Sequence, residues 1–485
     1  MPAHSRSAAV PSPLPVTASL PLKLEADAIS AAQDAFIGAA LVGPTVSVAL
    51  TLAALAAATA YGAPLTLALT AVPVLVIANA YRRLNLWNAN CGASFEWVGR
   101  AINPYLGFLT GWLMVAGTLI GTLSPVVALG PNVLAIFGAP AGDKWDNVIL
   151  GTMLTVVMLV ISVIGIRLSA RTQVSIGIIE YALLITIAVI GLWWVLTRHP
   201  GSFPVTRGWF SLTGIGGHGS LSAGFLLAVF MYSGWDGTLY VNEEVRHRRE
   251  NPGKAAMTAV IIAAGLFILA QVGLQGVVSP AKLQANSASA LVYVATVIGG
   301  PALGKSAAIA LALSVIAATG AGILLTARIV YGMASQRVLP PFLGNVSTRF
   351  RTPVAATVAS GVILVMLTWL YLLGTSIQAA FTYVIDITGL LYASFYILTA
   401  LAAVVYYRHR VMSDGTEFVT LGVLPLAAAG FLGWVIYQTC RASNAAQNLT
   451  LLGVAGAGVV LMIAARVLLR PAFFSIPRQS DPGPR

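Results

Sequence analysis

Charge is what this chain has least of. Only 9% of its 485 residues are Asp, Glu, Lys or Arg, against 58% that are hydrophobic. A soluble domain of that make-up could not cover its surface with polar groups, so the composition excludes one. Strict apolar–polar alternation is also missing, and its absence excludes a membrane β-barrel. Histidine is absent from the apolar runs: His4, His199, His218, His247 and His409 fall in tails or connecting stretches, so no histidine relay crosses a membrane. The two cysteines, Cys91 and Cys440, are expected on opposite sides of the bilayer and so cannot pair with each other. No His-Glu-x-x-His helix, clustered Cys/His set or phosphate-binding Gly-rich loop occurs. Catalytic residues, a metal, a cofactor and an ATP-driven pump are therefore not expected, and the chain does not read as an enzyme.

What the sequence does have is long apolar runs of roughly the 20 residues that a helical span needs. Twelve candidates fall at 31–58, 62–82, 101–130, 147–165, 173–196, 219–243, 256–279, 303–330, 353–374, 377–405, 417–438 and 447–468. With both ends placed in the cytoplasm, inside segments hold twenty-one Lys and Arg residues and outside segments six. That asymmetry follows the positive-inside rule, and it absorbs the net charge of +12 without invoking nucleic acid. Residues 1–28 lack a compact early apolar core and read as a disordered cytoplasmic tail rather than a signal peptide. The Pro-rich stretch 471–485 reads as a second such tail, leaving 29–470 as one all-α transmembrane domain of the cell membrane.

Two spans are interrupted. In the first, residues 42–47 read Val-Gly-Pro-Thr-Val-Ser, and proline inside a helix costs about 3 kcal/mol or more. In the sixth, residues 232–237 read Tyr-Ser-Gly-Trp-Asp-Gly, two glycines bracketing an aromatic and a carboxylate at mid-membrane. A carboxylate there costs at least about 2.5 kcal/mol, which a polar cavity buried in protein would offset. The interruptions lie five spans apart. An odd number of spans per copy predicts an inverted five-plus-five repeat, with two further helices at the carboxyl end, and paired breaks of this kind mark a transporter's binding site.

Residues 92–100, Gly-Ala-Ser-Phe-Glu-Trp-Val-Gly-Arg, are followed by Gly107-Phe108-Leu109-Thr110-Gly111-Trp112. Further along stand Ser233-Gly234-Trp235-Asp236, Asn242-Glu243-Glu244-Val245, Glu250-Asn251-Pro252-Gly253-Lys254, Ala327-Arg328, Met333-Ala334 and Leu339-Pro340. In this order and spacing the chain resembles the amino acid-polyamine-organocation (APC) superfamily of permeases, across essentially the whole membrane region. The resemblance implies a LeuT-type fold and a substrate site in the unwound parts of spans one and six. Carried onto this sequence, that site comprises Val42, Gly43, Thr45, Val46 and Ser47 together with Phe230, Tyr232, Ser233, Gly234, Trp235 and Asp236. Thr45, Val46 and Ser47 would offer backbone N–H groups to a solute carboxylate, and Phe230 would close over it. Pro44, lacking an N–H, departs from the glycine-rich segment of many relatives.

Asp236 could hold an amine, carry a proton or cap a half-helix. Glu180 stands where some proton-coupled relatives resemble one another in carrying a lysine. Burial favours its neutral form, so it reads either as a proton carrier or as a neutral, hydrogen-bonded packing group. Asp386, in the tenth span, suggests no role beyond a helix or gate contact. The expected activity is uptake of an amino acid or related organic amine, coupled to protons, by alternating access. An exchanger is the near alternative, and a channel-like facilitator the one from another class.

Overall fold

The computed structural model describes residues 23–137, 144–211, 218–374 and 377–482. Among these the chain is helical throughout, and the sole strand-like pairing is one bridge between Ile29 and Val245. The first half holds α1 (Ala31–Val42), α2 (Pro44–Thr59), α3 (Ala63–Trp87), the short α4 (Ser94–Ala101), α5 (Pro104–Ile136), α6 (Lys144–Ile164), α7 (Ile166–Leu196) and α8 (His218–Met231). The second half holds α9 (Asn251–Leu274), α10 (Pro280–Ala285), α11 (Ala290–Ser335), α12 (Val354–Gly374), α13 (Ile377–Tyr406), the short α14 (Arg408–Val411) and α15 (Gly415–Glu417), α16 (Leu424–Ala442) and α17 (Ala445–Ala464).

Ten helical stretches among the described residues are long and apolar enough to cross a membrane. The first covers 57 residues, 31–87. As a single helix it would be about 85 Å long, nearly three times the ~30 Å hydrocarbon thickness. It is instead cut at Gly43 and again at 60–62, where Ala60 takes φ 48°. Segment 218–239 is not among the ten, because α8 ends at Met231 after 14 residues. The 46-residue α11 also bends: Gly299 and Gly300 (φ 69°, ψ −168°) precede Pro301, so a short first limb leads into the long run that ends at Ser335.

Local chemistry sets these ends. Ser30 and Gln33 form a reciprocal capping box at the start of α1. Gly43 then adopts the left-handed conformation (φ 55°) that closes α1, and Pro44 becomes the first residue of α2. At that position no N–H is needed and the ring's fixed φ suits the helix. The proline therefore starts a helix instead of kinking one.

Small residues let the helices approach closely. A Cβ on Gly191 of α7 would lie 2.5 Å from the Gly273 carbonyl oxygen of α9, and one on Gly273 would lie 2.3 Å from the Ala188 oxygen. At one end of the bundle Arg328 of α11 forms a fully buried, bidentate ion pair with Glu244, at 3.0 and 3.1 Å. Beside it the Cys91 N–H donates to Glu243 Oε1 at 3.0 Å, and Asn85 Nδ2 donates to the carbonyls of Arg248 and Arg249 at 2.9 Å. In α4, burial pushes the Glu96 carboxyl up, opposed by its partner Arg100 one turn later.

Both expected tails need correction where they are described. Residues 1–22 lie outside the described residues, but 23–28 pack on the bundle: Leu24 and Ala28 are buried, and Ile29 exchanges backbone hydrogen bonds with Glu244 and Arg246. The expected disordered stretch from 471 onward is a packed strap through residue 482. Phe473 stacks on Phe95 at 4.5 Å between ring centroids, and Phe474 stacks on Tyr105 at 5.1 Å. The Gln479 N–H donates to the Arg100 carbonyl at 2.7 Å, and Asp481 pairs with Arg410. Two buried aromatics outweigh the proline-rich composition that suggested disorder.

Candidate functional site

The two interruptions face each other. Tyr232 and Ser233 turn out of α8, Gly234 takes φ 106°, and the chain continues as a tight 3-10 turn over Trp235–Leu239. A Cβ on Gly234 would sit 2.9 Å from the Leu41 carbonyl carbon, and one on Gly38 would sit 3.1 Å from the Trp235 oxygen. Only glycine allows the second break to rest on the last turns of α1, and only glycine readily holds such a positive φ.

Where they meet is a narrow cavity of about 30 Å³. Of the residues proposed from sequence, Val42, Val46, Ser47, Phe230 and Ser233 line it. Helices not anticipated complete it. Thr118, Gly121, Thr122, Ser124 and Pro125 come from α5, Ala318 from α11, and Thr388 and Tyr392 from α13. The remaining six proposed residues, Gly43, Thr45, Tyr232, Gly234, Trp235 and Asp236, do not reach its wall.

Each of those six has a different place. Trp235 is fully buried in an aromatic cluster, edge-on to Tyr81 at 5.0 Å and tilted on Tyr396 at 5.3 Å. Tyr232 donates from its hydroxyl to the Leu67 carbonyl at 3.2 Å and lies edge-on to Phe267. Asp236 accepts hydrogen bonds from the hydroxyls of Tyr240 and of Tyr396, the latter at 2.9 Å. It lies inside the 3-10 turn 235–239, whose first flanking residue is Gly234. Gly43 and Gly234 are the two bends themselves.

At the amino terminus of α2 the donors expected to receive a solute carboxylate already have partners. The Thr45 N–H donates to Glu180 Oε1 at 3.0 Å, the Val46 N–H to Ser314 Oγ at 3.1 Å, and the Ser47 N–H to the Gly43 carbonyl at 2.8 Å. The Ser47 hydroxyl turns back to the Val42 carbonyl at 2.7 Å. Glu180 thus sits at the amino terminus of α2, where free N–H groups and the dipole favour negative charge. Ser314 was not anticipated; a lone serine in an apolar span carries little signal by itself. Asp386 accepts from Gln447 Nε2 at 2.9 Å and ties α13 to α17.

Two broken helices thus meet at one cavity, with hydroxyl-bearing neighbours and a carboxylate on a helix amino terminus beside it. The family pattern described as amino acid permease matches residues 35–468, and the chain belongs to that family. Among curated proteins it is similar to the uncharacterized amino acid permease YecA of Bacillus subtilis, with 25% identity over 72% of this chain and 77% of that one. It is also similar to the gamma-aminobutyric acid permease of the same organism, with 26% identity over 61% and 63%. A D-serine/D-alanine/glycine transporter of Escherichia coli is 20% identical over 69% of this chain and 71% of that one. The crystal structure of an Eremococcus coleocola manganese transporter superimposes with a TM-score of 0.60 at 12% identity, covering 94% of this chain and 99% of that one. At that identity the likeness establishes the fold, that of the LeuT-like transporters. The family and these relatives are transporters, not enzymes.

Proposed function

We propose that this protein is a secondary active permease that takes up an amino acid or a related organic amine together with protons, by alternating access around the breaks at Gly43 and at 232–234. The observation that carries the reading is the convergence of both breaks on one hydroxyl-lined cavity. At about 30 Å³ that cavity has no room for an amino acid until its walls move. The relatives' names, which include small amino acids and gamma-aminobutyric acid, support a small zwitterionic solute.

The contact of Glu180 with Thr45 suggests how a proton enters the cycle. Ionised, Glu180 supplies the negative charge that the α2 terminus favours. Protonated, it loses that charge, its hold on the Thr45 N–H weakens, and the amino terminus of α2 is left to favour the negative charge of the incoming solute's carboxylate. Phe230 and Ser233 close the site from the opposite break, with Ser47 and Val42 beneath. Asp236, held by two tyrosine hydroxyls just outside the cavity, is the second coupling carboxylate of this proposal.

In the bilayer the chain makes twelve passages. Stretch 31–87 counts as two, since its length requires it, and 218–239 counts as one interrupted passage. Five passages and their inverted copy form the site, and two more follow. The excess of Lys and Arg in the segments assigned to the inside supports a cytoplasmic position for both ends. The test is uptake of a labelled amino acid and amine panel into proteoliposomes, with and without an imposed pH gradient. Accumulation that follows the gradient supports coupling. Saturable uptake indifferent to it would remove the proton from the mechanism, and a requirement for preloaded solute would make the protein an exchanger.

A further inference from the structure

Among the described residues Asp34 is the one carboxylate that is fully buried with neither oxygen in a hydrogen bond. The other buried carboxylates have donors: Glu180 has the Thr45 N–H, Asp236 two tyrosines, Glu244 the Arg328 guanidinium and Glu96 the Arg100 guanidinium. Asp34 lies in α1, nine residues and so about 14 Å along the helix before the Gly43 bend. It is not part of that cavity's lining.

The charged groups on the elements packed against α1 are engaged elsewhere or exposed. On α7, Arg167 pairs with Glu25, Arg171 is exposed and Glu180 holds α2. On α9, Lys254 pairs with Glu250. On α11, Arg328 pairs with Glu244 and Lys305 is exposed. In the turn 235–239, Asp236 is held by its tyrosines. None forms an ion pair or hydrogen bond with Asp34.

An ionised carboxylate in that position would have neither an ion-pair partner nor a hydrogen-bond donor, only the amino-terminal dipole of its own helix, so burial favours the neutral acid. We propose that Asp34 is a proton-binding site, distinct from Glu180 and Asp236, that is filled in this closed arrangement and gives its proton to water when α1 swings about Gly43. The step is a proton transfer alone: an O–H bond of the carboxylic acid breaks, water accepts the proton, and the carboxylate left behind is solvated by the opened path. Part of this rests on the permease reading above, because it assigns the swing of α1 to the transport cycle. The protonation of the closed state does not rest on it.

Infrared spectroscopy of the purified full-length protein in lipid at neutral pH tests the closed state directly. A carboxylic-acid C=O band that shifts in D₂O should be present in the wild type and missing from both Asp34→Asn and Asp34→Leu. Identical spectra in that region would overturn the proposal, and the use of two variants covers the failure of either to fold. In proteoliposomes, Asp34→Asn should keep solute counterflow within about twofold while losing the up to tenfold accumulation per pH unit that one coupled proton allows. Wild-type accumulation in the variant would overturn the coupling role. Absence of transport in the wild type would overturn the permease reading and leave the infrared result standing.

Discussion

Substituting Glu180 separates its two tasks, holding a helix end and carrying a proton. The Thr45 N–H is buried and donates to Glu180 Oε1 at 3.0 Å. In Glu180→Ala that donor has no partner, at a cost of about 1–3 kcal/mol, and the helix dipole loses its anion, worth up to ~2 kcal/mol in a partly buried setting. In Glu180→Gln the amide oxygen still accepts, so a charge-assisted bond of about 1.5–3 kcal/mol is replaced by a neutral one of about 1. Gln should therefore fold nearly as well as wild type and Ala markedly worse, as read by thermal denaturation in detergent. Transport should split the other way. One pH unit across the membrane supplies about 1.4 kcal/mol per proton, a tenfold accumulation ratio at one proton per solute. Glu180→Gln cannot titrate and should lose the up to tenfold accumulation per pH unit that its own proton allows, with counterflow intact. A Gln variant that still accumulates solute up the gradient as wild type does would refute Glu180 as the carrier and leave it as a cap.

Three further outcomes follow from the packing. Removing one partner of the buried Glu244–Arg328 pair, as in Arg328→Met, should destabilise by about 3–5 kcal/mol, and the double replacement Arg328→Met with Glu244→Leu should recover most of it; equal loss in both would contradict an unpaired charge as the cause. Gly273→Ala places a methyl against the Ala188 carbonyl oxygen and should cost about 1–3 kcal/mol through overpacking of α7 on α9, visible as a lowered melting temperature. Phe473→Ala should release the strap, making the bond after Arg478 newly sensitive to trypsin, whereas unchanged protection would mean that Asp481 and Gln479 suffice to hold it.

The helix breaks were legible in the sequence because glycine and proline announce themselves locally. Gly43 and Gly234 both adopt the positive φ that such positions invite. Other features depended on distance along the chain. Glu180 meets Thr45 across 135 residues, and Ser314 meets Val46 across 268. Nothing in either local pattern announces the partner. Thr118 and Thr122 were passed over because threonines a turn apart in an apolar helix ordinarily satisfy themselves, as Thr122 does on the Thr118 carbonyl at 2.6 Å. Trp235 and Asp236 were assigned to the substrate because they adjoin a break. The 3-10 turn rotates both side chains into the tyrosine cluster behind the cavity. The strap at 471–482 is not legible in composition, which weighs Pro and Ser and ignores where two phenylalanines can dock.

The central claim is that α5, α8 and the α1–α2 break enclose one solute. It is tested most directly by alkylating single cysteines in a background with Cys91 and Cys440 replaced by Ser, one variant each at Thr122, Ser233 and the exposed Thr186 of α7. Saturating solute should slow labelling at Thr122→Cys and Ser233→Cys and leave Thr186→Cys unchanged. If solute that is demonstrably transported protects neither cavity position, the cavity is not where it binds.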